Sequence, residues 1–392
     1  MPTCDCTPSR STFVLAVAFL LTSAGCREEV TSPTTPDSNS TFAAASTAPL
    51  SFRQVSTRNG ASCGTTTDDR AYCWGFNISG QLGDGTTTDR NRPVAVLGGL
   101  RFRYVSAGIT HSCGITTTNQ VYCWGRNTEG QFGNGSTNNS PSLPVLAAGG
   151  RRFRQLSAGL EYTCAVTATD RAFCWGSNSV GRLGDGSTSE RRLTPVRVAG
   201  NLLFKVVETG WAHACGVTTG NVAYCWGNNF DGQLGDRTKI NRRAPVPVSG
   251  GLRFRQIRAS ISSSCGVTTD SRAYCWGKNS WRQLGDGSDY PRRLRPVPVT
   301  GGLEFATVSA GDTHTCGIAS TGKAYCWGLN WSPEPVAVAG GHLFKDLRAD
   351  GEHTCGVTPG ARAYCWGENS QGQLGNGTNT DSHTPVAVVT PM

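Results

Sequence analysis

Ser264-Cys-Gly-Val-Thr-Thr-Asp-Ser-Arg-Ala-Tyr-Cys-Trp-Gly277 decides the reading of this chain, because the phrase recurs. A cysteine, nine residues, a second cysteine and then Trp-Gly appear seven times. The pairs are Cys63 and Cys73, Cys113 and Cys123, Cys164 and Cys174, Cys215 and Cys225, Cys265 and Cys275, Cys316 and Cys326, Cys355 and Cys365. The tryptophans Trp74, Trp124, Trp175, Trp226, Trp276, Trp327 and Trp366 stand 50, 51, 51, 50, 51 and 39 residues apart. A period in that range predicts an array of small supersecondary units. Each unit is too short to bury its own apolar face, so neighbours must share a core.

Working outward from the phrase, Leu252-Arg-Phe-Arg-Gln-Ile-Arg-Ala precedes it, and Lys278-Asn-Ser-Trp-Arg-Gln-Leu-Gly-Asp-Gly-Ser288 and Arg295-Pro-Val-Pro-Val299 follow. Short alternating runs between Gly, Pro, Asn, Asp and Ser clusters are an all-β signature, and glycine is abundant at 50 residues. Four short strands per unit are expected: the Phe-Arg-Gln-Ile run, a hairpin around Thr269-Asp270-Ser271, and the Pro-Val-Pro-Val run. Prolines cannot donate to a ladder, so the last strand belongs at an edge.

In that hairpin Cys265 should face Cys275, and Val267 should face Ala273. Opposed residues on antiparallel strands lie about 4.5–5.5 Å apart, within disulfide reach. Seven disulfides are therefore expected, one per unit. Metal binding is the competing reading, since His111, His213, His314 and His353 each stand two residues before a cysteine. Ala61, Tyr162 and Ser263 take that place in the other three units, although their cysteines persist. Zinc sites also favour closer cysteine spacing. The histidines are expected to be hydrogen-bonded packing residues, with no metal and no cofactor.

Val105-Ser-Ala-Gly108, His111-Ser112, Trp124-Gly-Arg-Asn127 and Gly130-Gln-Phe-Gly133 resemble the repeat of the regulator-of-chromosome-condensation family. So do His353-Thr354, Trp366-Gly-Glu-Asn-Ser-Gln-Gly-Gln-Leu-Gly375 and Pro385-Val386. The resemblance covers residues 50–392 and implies a seven-bladed β-propeller of four-stranded blades, which suits a count of seven units. If blades are offset from repeats, Val386 to Val389 would complete the blade begun by residues 50–57 and clasp the ring shut. Unit six departs from the pattern: Trp327-Gly-Leu-Asn330 runs directly into Trp331-Ser-Pro-Glu-Pro335, twelve residues shorter than unit five. Two outcomes follow, a notch beside an exposed Trp331 or a gap that Trp331 fills.

The N-terminus reads as an address. Arg10, the apolar run Phe13-Val-Leu-Ala-Val-Ala-Phe-Leu-Leu21 and Ala24-Gly25-Cys26 describe a signal peptide over residues 1–25, with Cys26 as a lipid anchor of bacterial lipoprotein type. Ser23 stands where such sites usually carry leucine. The apolar run is about half the length needed to span a bilayer. Residues 26–49 are Ser/Thr/Pro-rich and read as a flexible, disordered tether. The chain is expected in the bacterial cell envelope, lipid-anchored outside the cytoplasm or secreted.

The formal charge is +9, and only five of the 36 basic residues are lysine. Such a balance attracts anionic partners and equally keeps a protein soluble. Arg192, Arg243 and Arg293, each second in an Arg-Arg pair, would form a basic crown if the ring places them equivalently. No Gly-x-Ser-x-Gly elbow, His-Glu-x-x-His or Walker loop is present, and the Asp-Gly-(Ser/Thr) turns lack calcium-loop spacing. The expected function is a non-catalytic binding scaffold, a monomer, for a protein or polysaccharide in the cell envelope, with nucleic acid not expected. Trp211, Trp281, Tyr290 and Trp331 are its candidate anchors. Guanine-nucleotide exchange on a small GTPase and inhibition of a secreted enzyme are the alternatives, with a propeller lyase behind them.

Overall fold

The computed structural model describes residues 49–391. The signal peptide, Cys26 and nearly all of the tether lie outside them. From Phe52 onward the chain forms seven antiparallel four-stranded sheets. The first comprises Phe52–Arg58, Ala61–Thr66, Ala71–Gly75 and Arg90–Ala95. The first strands of successive sheets touch one another around a full circle, and that of blade seven, Asp346–Asp350, meets that of blade one. First strands therefore line the axis and fourth strands form the rim, which makes a seven-bladed propeller.

The second and third strands pair in the register expected of the cysteine phrase, with Cys265 opposite Cys275 and Val267 opposite Ala273. All seven expected disulfides are formed, each within its own hairpin. Cys63 is bonded to Cys73, Cys113 to Cys123, Cys164 to Cys174 and Cys215 to Cys225. Cys265 is bonded to Cys275, Cys316 to Cys326 and Cys355 to Cys365. The bridged Cα atoms lie 4.0–4.1 Å apart, closer than the about 4.5 Å usual for directly opposed residues of a non-hydrogen-bonded pair.

The prolines of the rim strand have a local reason. Cys73 pairs with Val94 but Gly75 with Arg90, so Asn91-Arg92-Pro93 stand opposite the single residue Trp74. Blade five repeats this, with Leu294-Arg295-Pro296 opposite Trp276. Proline sits where the ladder asks for no N–H.

The apolar cores lie between blades. In one of them the bridge of Cys265 and Cys275, Val267 and Leu284 of blade five pack with Phe305, Val308 and Trp327 of blade six. Six further clusters repeat the arrangement around the ring. The shared core follows from unit size, and it makes each disulfide part of a blade-to-blade contact.

The expected clasp is not formed. Val386 pairs with Cys365 and Ala387 with Tyr364 inside blade seven, while residues 52–58 begin a sheet that ends with 90–95. Blades coincide with sequence repeats, so the ring closes without an exchanged strand, through side-chain contacts and the backbone bonds Phe52 N to Ala361 O at 2.7 Å and Gly377 N to Asn91 O at 2.8 Å. Position 58 holds the key to that closure. Gly108, Gly159, Gly210, Ser260 and Gly311 directly follow the corresponding axial strands, but blade one has Arg58 at that position and blade seven has Asp350. Their side chains are buried and pair at 2.9 Å. Arg58 also donates across the axis to the carbonyls of Ala158 at 3.2 Å and Thr209 at 2.5 Å. Burial pushes the Asp350 carboxyl up, against the pull of Arg58.

Candidate functional site

Strand directions alternate within each blade, so the turns after first strands and the long loops after third strands emerge on one face. Every candidate anchor lies there. The long loops are built by one asparagine each. In blade one Asn77 Nδ2 donates to the carbonyls of Thr86 and Thr88, at 3.2 and 3.0 Å, and its Oδ1 accepts from Leu82 N at 2.9 Å. Asn127, Asn178, Asn229, Asn279 and Asn369 hold their own loops in the same manner. Leu82, Phe132, Leu183, Leu234, Leu284 and Leu374 are thereby pressed into the cores, each with the tryptophan of the next blade.

The residue before that apolar anchor, usually glutamine, presents its carbonyl to the next blade. Trp124 Nε1 donates to Gln81 O at 2.8 Å, and Ser112 Oγ donates to the same oxygen at 2.9 Å. Trp175, Trp226, Trp276, Trp327 and Trp74 make equivalent bonds to Gln131, Arg182, Gln233, Gln283 and Gln373. Behind the hydroxyl stands the histidine. His213 Nε2 lies 2.9 Å from Ser264 Oγ, whose own proton goes to Gln233 O, so the ring nitrogen is the donor. The histidines are packing residues, as expected. Burial is the main cause that pushes His111, His213 and His353 down to about 3 and His314 to about 4. In blade three Tyr162 replaces histidine and donates to His213 O at 2.5 Å. Among the described residues no group of three or more His, Cys, Asp or Glu could hold a metal ion.

Blade six lacks this loop and with it the carbonyl that the two donors facing it would share. Trp366, 2 % exposed, has an unpartnered Nε1. Thr354 Oγ1 keeps contacts to His314 Nε2 at 2.7 Å and to Cys316 Sγ at 3.5 Å, with no glutamine carbonyl beyond them. Trp331 is half-buried and packs against the Trp366 cluster, partly filling the gap. Beside it remains a notch of about 80 Å³ lined by Trp366, Trp331 and Leu329 and rimmed by Glu352, Glu368 and Asp381. Burial, then repulsion from Glu368, Asp312 and Asp381, pushes the Glu352 carboxyl up.

On the other side of Trp331, a groove of about 480 Å³ runs between blades five and six, lined by Trp281, Arg282, Asp289 and Asn330. The short loop thus brings Trp281 and Trp331 to one groove. Trp281 is 45 % exposed, Tyr290 65 % and Trp211 40 %. Trp211 shares the face but lines neither depression. Phe230, 68 % exposed, was not anticipated. Arg292 lies over its ring at 5.8 Å, and Arg293 lies over Tyr290 at 4.6 Å. Its only signal in the sequence is an aromatic residue after Trp-Gly-x-Asn, where unit six has Trp331 and the other units carry Ile, Thr or Ser.

The arginines do not occupy equivalent positions. Arg192, Arg242 and Arg293 are the counterparts, bound to Asp185, Asp236 and Asp286 at 2.9, 2.9 and 2.6 Å; Arg90 pairs likewise with Asp84 at 2.7 Å. Arg243 stands one residue further along and lines a groove with Val180 and Pro245. Burial raises the Asp185 carboxyl, but Ser187 and Arg192 outweigh it and hold it below the usual range. These ion pairs secure loops, and their charge is largely neutralised locally.

Residues 21–333 match the family model for the RCC1-like domain, and residues 361–392 match that for the regulator of chromosome condensation (RCC1) repeat. The ultraviolet-B receptor UVR8 of Arabidopsis thaliana is 34 % identical over 90 residues, covering 22 % of this chain and 20 % of that protein. RCC1 domain-containing protein 1 of Mus musculus is 38 % identical over 86 residues, covering 21 % and 22 %. The matched stretch spans about a fifth of these relatives' length. Human WBSCR16 superposes with a TM-score of 0.75 at 20 % identity, over 82 % of this chain and 95 % of that one. Prp20p of Saccharomyces cerevisiae gives 0.71 at 21 % identity, over 88 % and 87 %. At such identities the structural likeness is one of fold.

Proposed function

This chain belongs to the RCC1-like domain family, and from that premise we propose that it is an exported, membrane-tethered binding scaffold without catalytic activity. It holds a protein or polysaccharide partner of the cell envelope on its loop face. The observation that carries the reading is the gathering of Trp281, Tyr290, Phe230 and the blade-six depressions on that one face. Aromatic side chains on a rigid surface supply large contact area at low entropic cost. Export is supported by a disulfide in every blade, since such bonds persist in oxidising compartments. The lipoprotein-like Ala24-Gly25-Cys26 supports a membrane tether.

Photo-crosslinking on intact cells, with the reactive group at position 281 or 290, tests this. An envelope component should be captured, and capture should fall at least tenfold in a Phe230→Ala variant. A purely cytosolic set of products would sink the reading.

Nucleotide exchange on a small GTPase is the second reading. It is favoured by the likeness to Prp20p, a protein described with binding properties towards Gsp1p and histones. Faster nucleotide release from a GTPase panel would establish it. Inhibition of a secreted hydrolase would appear instead as loss of activity at near-stoichiometric propeller.

A further inference from the structure

Six of the seven repeat tryptophans give their indole proton to a carbonyl of the preceding blade, and Trp366 does not. The shortened loop removed three things together. It took the carbonyl that Trp366 Nε1 and Thr354 Oγ1 would share, the apolar side chain packed beneath it, and the glycine that lies against the ring. In blade five that glycine is Gly285, at φ +68°, where a Cβ would come within 2.6 Å of Trp327 Nε1. What remains is a notch of about 80 Å³, narrowed by Trp331, with a buried donor, Trp366 Nε1, that no protein group satisfies. Leaving such a donor unpaired is costly, and an incoming acceptor recovers that cost. Three carboxylates, Glu352, Glu368 and Asp381, line the notch beside His383, and Asp381 also accepts from Asn369 N at 2.8 Å.

We infer that the notch between blades six and seven is completed in trans by a turn of a partner protein. The turn supplies a backbone carbonyl to Trp366 Nε1 and Thr354 Oγ1, a leucine-like side chain beside Trp331, and a basic side chain to the carboxylates at the rim. Trp331 swings aside as the turn enters, because it covers the space that a leucine fills elsewhere. The inference rests on the scaffold reading and narrows its partner to a protein with a basic, glycine-containing turn.

The probe is a synthetic peptide of residues 278–289, Lys-Asn-Ser-Trp-Arg-Gln-Leu-Gly-Asp-Gly-Ser-Asp, which is the blade-five version of the missing loop. It is titrated into isotope-labelled full-length protein while the indole N–H resonance of Trp366 is followed, identified by its loss in Trp366→Phe. A saturable downfield shift is expected, absent with a scrambled peptide and at least tenfold weaker in Glu352→Gln/Glu368→Gln. Grafting Ser280–Asp289 after Asn330, the counterpart of Asn279, should shift the resonance without peptide and abolish further binding. No shift at millimolar peptide, or an equal shift with the scrambled one, overturns the inference. A shift on removing residues 1–48 also overturns it, because the chain's own N-terminal segment would then be the occupant. Envelope crosslinking at positions 281 and 290 is scored separately, so the scaffold reading stands or falls by itself.

Discussion

At the scale of single residues, a relay of histidine, hydroxyl, carbonyl and indole crosses three blade junctions in full, those led by His111, His213 and His353, and the others in part. A net hydrogen bond is worth about 0.5–1.5 kcal/mol. Trp327→Phe should therefore destabilise the fold by about 1 kcal/mol more than Trp366→Phe, whose indole proton has no acceptor to lose. Denaturant midpoints of the two variants decide this. The histidines set an acid limit. Their folded values, about 3 for His111, His213 and His353 and about 4 for His314, lie below the ordinary 6.5. The unfolded chain thus binds protons first as pH falls. Their contribution should be complete above about pH 6.5 and lost progressively towards pH 3, with Tm falling across that window. His213→Gln should flatten the slope, and an unchanged slope would refute it. The packing role of these histidines was legible, because three units do without them. Their acceptors were not, since each lies in the neighbouring blade, 40 to 52 residues on for three of them and 291 residues back for His353, and no local pattern marks the pair.

At the scale of the blade, spacing alone gave the hairpin register, the bridges and the edge position of the proline strand, because period-two alternation fixes which residues face each other. Closing a loop of this length stabilises by about 2–3 kcal/mol in the chain-entropy account. Cys265→Ala/Cys275→Ala should lose about that much and also leave a small cavity beside Trp327, lowering the midpoint of chemical unfolding. An unchanged midpoint would mean that shared cores carry the hairpin without help. The arginine crown misled because counting Arg-Arg pairs ignores a one-residue difference in loop length. Pairing with aspartates, visible in three dimensions, selects Arg242 where dipeptide position selected Arg243. The shortened sixth loop was legible as a deletion, whereas the donors facing it were not, since both belong to blade seven.

At the scale of the whole ring, closure was the feature that sequence misassigned. Repeat boundaries permit either an exchanged strand or a simple butt joint, and only the sheet order separates them. The signal was present nonetheless, in the glycine position that becomes Arg58 in the first unit and Asp350 in the last. Removing one partner from a buried pair is strongly destabilising, by about 3–5 kcal/mol. Arg58→Ala should fall in that range, and Arg58→Ala/Asp350→Ala should cost less than the two single changes combined. A double-mutant cycle in urea measures the coupling; a value near zero would show that the ring shuts without this pair. The shortened loop has a further effect at this scale. Seven near-identical blades would offer an incoming molecule seven rotational settings of almost equal merit. One missing loop abolishes that degeneracy, because it makes one angle unlike the other six. Whatever sits on this face has a single heading relative to the chain's ends, as a keyed shaft turns with its hub.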